Sequence, residues 1–132
     1  MNLVSKTAAA NIILALLSLV VVFHLLVVIG VVPYSIVWGG RLTSHEEMLR
    51  METVSILVNL AMIGLVCVYV GYLRIRIPAV VLKFLLWLMV LLFAFNTVGN
   101  LMSTSRLEQI LFTPITLLLS LLFAQLALDK SS

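Results

Sequence analysis

Four apolar stretches occupy almost the whole chain, at roughly 8–32, 53–73, 79–102 and 107–128. A helix needs about 20 mostly apolar residues to cross the hydrocarbon core of a bilayer. Each stretch is long enough, and hardly anything lies between them. The sequence therefore predicts an all-α membrane protein, an antiparallel four-helix transmembrane bundle with both termini on one side. Composition agrees: 64% of the 132 residues are hydrophobic and 10% are charged. Soluble domains are about 25% charged. One transmembrane domain spanning 1–132 is expected, because the connections are too short to fold alone.

The first stretch has Lys6 before it and could be taken for a signal peptide. Its apolar run of about 25 residues exceeds the 7–15 of a signal h-region, and no small-residue cleavage site follows. It reads as a retained span. The single cysteine, Cys67, falls inside the second span and has no intrachain partner with which to form a disulfide. The net charge of +3 comes from basic residues scattered along the span flanks, which points to topology and away from nucleic acid. No cofactor motif and no metal-ligand spacing is present. The expected partners are membrane lipids and, since four short helices enclose little volume, a homo-oligomer.

Lys and Arg near span ends favour the cytoplasm. Lys6, Arg74, Arg76, Lys83 and Lys130 fall on one side, and Arg41, Arg50 and Arg106 on the other. Both termini are accordingly expected in the cytoplasm. Glu46, Glu47, Glu52 and Glu108 all fall on the outer side. At the cytoplasmic boundary Tyr69, Tyr72 and Trp87 suit an aromatic belt, with Lys83 reaching the headgroups.

The outer connection, 33–50, is the longest segment between spans. Pro33 ends the first helix, and Gly39-Gly40 permits a turn with positive φ. Tyr34 and Trp38 have the amphipathic rings of a membrane boundary, and Arg41 is free for an anionic headgroup or a glutamate. These three form a candidate lid. Ser44-His45-Glu46-Glu47 reads as a capping box, so the second helix starts near His45 and enters the membrane near Met51.

Polar side chains in hydrocarbon are costly and usually face the bundle interior. At about 1.5 Å per residue, His24, Asn59, Asn96 and Thr113 each lie on the order of 10 Å below the expected outer boundary. One polar group per helix at one level suggests a pocket in the outer half of the bundle. Its candidate residues are His24, Glu52, Asn59, Asn96, Asn100 and Thr113. Glu52, Ser55 and Asn59 share one face of the second helix, and Gln109, Thr113, Thr116 and Ser120 form a stripe down the fourth. Pro114 removes a helical donor and suggests a kink there. Interhelical hydrogen bonding is the plainer account of the hydroxyls.

Trp38-Gly39-Gly40-Arg41, Glu52-x-x-Ser55-x-x-x-Asn59 and Asn96-Thr97-Val98-Gly99-Asn100 resemble segments of small four-span integral membrane proteins of bacteria. That resemblance covers nearly the whole chain. It implies a bacterial cytoplasmic membrane but no activity. A looser likeness is to bundles with an intramembrane polar pocket, such as sterol-isomerase-like and DoxX-type proteins. The cysteine pairs of vitamin K epoxide reductase-like proteins and the early intramembrane glutamate of small multidrug transporters are absent.

Three functions follow from these residues. The first is a binding or accessory module for a lipid or small ligand, seated in the outer polar layer. The second is a small oligomeric transporter or channel, against which stand the apolar inner halves at Ile63–Val70 and Phe84–Leu92. The third is an intramembrane enzyme using His24 and Glu52, which requires those two side chains to meet.

Overall fold

The computed structural model describes residues 3–129; Lys130, counted above among the basic flanks, lies outside them. Four helices make up the bundle: α1 (Lys6–Val28), α2 (His45–Val70), α3 (Ala79–Leu101) and α4 (Thr113–Leu128). A π-helical turn, Glu108–Phe112, leads into α4. All four helices, α4 with that turn included, are long and apolar enough to cross a membrane. The chain is an integral membrane protein with a four-helix bundle.

Local chemistry sets each boundary. Ser5 Oγ accepts the Ala8 N–H and starts α1, which stops at Val28 rather than at 32. Gly30, at φ +88°, takes the left-handed conformation that closes a helix. Val32 N–H then reaches back to the Leu26 carbonyl. Ser44 Oγ accepts the Glu47 N–H and starts α2 at His45, as the S-x-x-E pattern predicts. The reciprocal Glu47 bond of a full capping box is not made among the described residues. Pro78 precedes α3, where its missing N–H costs nothing.

The helices pair as α1 with α2 and α3 with α4, and α1 against α4 joins the pairs, while α2 and α3 touch only slightly. The fourth span is the hub. It has 44% of its apolar window buried, against 11% for α3, which leaves most of α3 facing lipid. The main core packs Ala10, Ile13 and Leu17 of α1 against Val66, Leu86, Leu119, Phe123 and Leu126. Phe93 and Phe123 stack with centroids 5.7 Å apart. A smaller cluster of Val27, Val37, Leu42 and Met48 closes the end opposite the termini, the outer end in the orientation expected from the sequence.

Side-chain bonds tie the end that holds both termini. Gln125 Oε1 accepts the Leu3 N–H at 2.9 Å. Tyr72 OH donates to Asn11 Oδ1 at 2.7 Å, linking α1 to the end of α2. Two boundary expectations need correction here. Tyr69 is buried, with its hydroxyl donating to the Leu126 carbonyl at 3.0 Å, so it packs inside the bundle rather than in a lipid-facing belt. Lys83 turns toward α4 and donates to the Asp129 carbonyl at 3.0 Å. A helix C-terminus offers unpaired carbonyls, which suit an ammonium.

Candidate functional site

The outer half holds a knot of three side chains from three elements. Glu52 of α2 is wholly buried. Its Oε2 is hydrogen-bonded to His24 Nδ1 of α1, an ion pair whenever the ring is protonated. Its Oε1 accepts the Trp38 Nε1–H at 2.8 Å. A carboxylate without partners in this environment would be very costly, and paired acceptor sites on both oxygens offset that cost. Phe23 packs edge-on against both the His24 ring and Phe112 of the π-turn, shielding the knot. His24 Nε2 makes no hydrogen bond among the described residues, and the side chain keeps 16% of its surface exposed.

Helix boundaries explain why His24 and Glu52 meet. The sequence pattern placed Glu52 at the head of its span, near water, and His24 deep in the first. The structure ends α1 four residues earlier, which brings His24 nearer that end, while α2 starts at His45 as expected and holds Glu52 two turns inside its helix. Both side chains then fall at one level.

A second glutamate holds the same outer connection from the other side. Glu108 Oε1 accepts the Gly39 N–H and the Ser103 hydroxyl, each at 2.8 Å. Thr104 Oγ1 donates to the Gly39 carbonyl at 3.0 Å. Trp38, Gly39 and Gly40 have successive positive φ values of 55°, 69° and 75°. A tryptophan rarely adopts that conformation, at a cost on the order of 1–3 kcal/mol, and such strain persists only where the surroundings over-determine it. Here Glu52 and Glu108 do so. The roles of Glu108, Ser103 and Thr104 escaped the sequence reading. Ser105-x-x-Glu108 before an apolar run has the capping-box pattern, but that pattern would turn Glu108 to the Ser105 N–H, which instead goes to Ser103 Oγ, and gives no hint of Gly39.

The remaining candidates separate. Asn59 is buried, but its Nδ2 donates to the Ser55 carbonyl of its own helix at 2.7 Å and its Oδ1 has no partner. Thr113 donates to the Glu108 carbonyl at 3.3 Å. Asn100 Nδ2 donates to Thr116 Oγ1 at 3.3 Å, and Thr97 lies 3.0 Å from the same hydroxyl. Asn96 needs correction, because it is exposed on α3 and faces away from the bundle. Phe93 and Thr97 define the buried face of α3, and Asn96 sits one residue, about 100°, off Thr97. Shared depth did not imply a shared direction.

Gln109 also leaves its expected stripe. Its Nε2 donates to the Ser103 carbonyl at 2.6 Å, closing the end of α3. The π-turn adds a residue to one helical turn and so rotates Gln109 off the Thr113–Thr116 face. That wide turn immediately precedes Pro114 and takes the place of a simple kink. Of the candidate lid, Tyr34 is half-buried, Trp38 is bound to Glu52, and Arg41 is exposed, with no ion pair among the described residues.

One turn outward from the knot lies an open groove of ≈ 600 Å³. Val27 and Val28 of α1, Tyr34 and Leu42 of the connection, and His45 and Met48 of α2 line it. Ligand sites typically occupy about 300–1,000 Å³, with mostly apolar walls and a few polar groups. No protein-family model matches the chain, and no curated protein or solved structure matches it.

Proposed function

We propose that the protein is a membrane binding module that receives an amphipathic small molecule or lipid at its outer end. The outer groove carries this assignment. Its walls are apolar at Val27, Val32, Leu42 and Met48, and polar groups from Tyr34, Ser35 and His45 stand at the same opening. An apolar tail against the helices and a polar head at the connection satisfies both. The knot beneath it fixes α1, α2 and the connection relative to one another, which keeps the groove preformed.

The chain is further inferred to belong among small four-span proteins of the bacterial cytoplasmic membrane, with both termini cytoplasmic. Lys6, Arg74, Arg76 and Lys83 at the terminal end against Arg41, Arg50 and Arg106 at the other support that orientation.

A fatty acid bearing a photoactivatable diazirine, crosslinked in vesicles and mapped by peptide, tests the binding assignment. Labelling concentrated in 27–48 and reduced by Val32→Trp supports it. Label spread evenly over the lipid faces of all four helices, unchanged in that variant, overturns it.

One observation favours a second reading, an intramembrane acid–base enzyme. The His24 imidazole is oriented through Nδ1 by a buried carboxylate while Nε2 is uncommitted, the arrangement a general base requires. Turnover of a fluorogenic lipid ester that disappears in His24→Gln, whose amide can still donate to Glu52, with fatty-acid labelling retained, would distinguish this from binding alone.

A further inference from the structure

The bundle is open along one side. α2 and α3 barely touch, and between them, toward the end that holds the termini, lies an apolar cleft of ≈ 260 Å³. Gly64 and Val68 of α2 and Leu85 of α3 form its walls, and Leu73, Ile75 and Ile77 of the α2–α3 connection form its rim. That connection alternates apolar and basic: Leu73-Arg74-Ile75-Arg76-Ile77. Leu73, Ile75 and Ile77 all line the cleft, and the two arginines between them do not. Arg74 and Arg76 are exposed beside it. Neither arginine has an ion-pair partner among the described residues.

We propose that this cleft is a binding site for an anionic phospholipid, with one acyl chain between α2 and α3 and the phosphate on Arg74 and Arg76. Charge complementarity selects this occupant. The walls offer an acyl chain nothing polar to desolvate, and the rim offers a phosphate two unpaired guanidiniums, which suit it geometrically. The first backbone N–H groups of α3 open at the same rim, with no side-chain cap, and the helix dipole there adds to the attraction. Leu73 and Ile75 remain 44% and 59% exposed, which sets the rim at the boundary where headgroups lie. A second copy docked by two-fold symmetry would set its own Arg74 and Arg76 against these, like charge on like. The site is separate from the outer groove and does not depend on it.

The test uses the full chain in vesicles of phosphatidylcholine with a minor fraction of phosphatidylglycerol, followed by detergent extraction and quantification of lipid retained on the protein. Phosphatidylglycerol is expected to be enriched over its bulk fraction. Arg74→Gln with Arg76→Gln should reduce the enrichment about fivefold for each charge removed. Gly64→Leu keeps both charges and fills the cleft from a position where an added Cβ meets nothing within 4 Å. It should also abolish the enrichment, and Ala61→Leu on the same wall serves if Gly64→Leu does not purify as a helical monodisperse protein. Retained lipid that mirrors the bulk, or enrichment that survives the arginine changes, overturns the proposal. Enrichment lost with the arginines but intact with the cleft filled also overturns it, as a surface charge effect without an acyl site.

Discussion

Between α1 and α2 the outer half is joined through a buried carboxyl group, whereas between α3 and α4 it is joined by hydroxyls. In the first pair a buried carboxylate meets an imidazole and an indole N–H. In the second, Thr116 donates to the Phe112 carbonyl of its own helix at 2.8 Å and receives Thr97 and Asn100 from α3. The two arrangements respond differently to damage. A threonine that loses its neighbour still bonds to its own backbone, but a buried carboxylate or its donors have no such retreat. The α1–α2 joint also fixes the outer connection through Trp38. The α3–α4 side reaches that connection through Glu108, the first residue of the π-turn, and through Thr104 in the turn before it.

The largest effect is expected at Glu52. Glu52→Ala strands His24 and Trp38 Nε1 and should destabilise the protein by about 3–5 kcal/mol, the usual cost of breaking a buried pair. Unfolding in mixed micelles, followed by circular dichroism, measures it. The double variant Glu52→Leu with His24→Phe removes both partners at similar volume and should recover most of that loss. If Glu52→Ala is neutral, the joint is not structural and the contrast between the helix pairs collapses.

Glu108→Ala should be the next largest. It removes a charged acceptor from the Gly39 N–H and the Ser103 hydroxyl, each bond contributing about 1.5–3 kcal/mol. Glu108 is half-buried, so water replaces part of this. The strained Trp38–Gly40 segment should loosen before the helices do. Faster hydrogen exchange at the Gly39 and Gly40 amides, with unchanged exchange in α1 and α2, is the expected signature.

Thr116→Val tests the hydroxyl joint. Interhelical hydrogen bonds in membranes contribute about 0.6 kcal/mol on average and at most about 1.7. A loss within that range, well below that of Glu52→Ala, is expected from the same unfolding measurement. A loss equal to that of Glu52→Ala would mean that the two joints are alike.

How far the sequence reveals this contrast depends on which coordinate is asked for. Span number and the Ser44 cap are legible, because hydropathy and capping are local properties. Depth is nearly legible, since rise per residue is fixed. It fails at His24, because Gly30 ends α1 early and so brings His24 to the level of Glu52. Direction around each helix is not legible in these spans, because lipid and core are equally apolar and no amphipathic stripe marks the buried face. Hence Asn59 and Asn96 read alike while one is buried and the other exposed. The hold of Glu108 on Gly39 spans 69 positions in the chain and follows from the π-turn and the packing of α4, neither of which a local pattern encodes.

The smallest effect is expected at Asn96, and it is the sharpest check on direction. Asn96→Leu replaces an exposed amide on the lipid face of α3 by an apolar side chain of similar size. If Asn96 belonged to the polar layer, the change would cost about as much as Thr116→Val. On the lipid face it removes a polar group from hydrocarbon and leaves every internal bond intact, so stability should change by no more than about 0.5 kcal/mol or should rise. Thr97→Val, one residue away, faces α4 and should instead cost about 1 kcal/mol, through loss of the bond to Thr116. Equal effects at the two neighbours would mean that α3 is rotated from the orientation described, and the hydroxyl joint would fall with it.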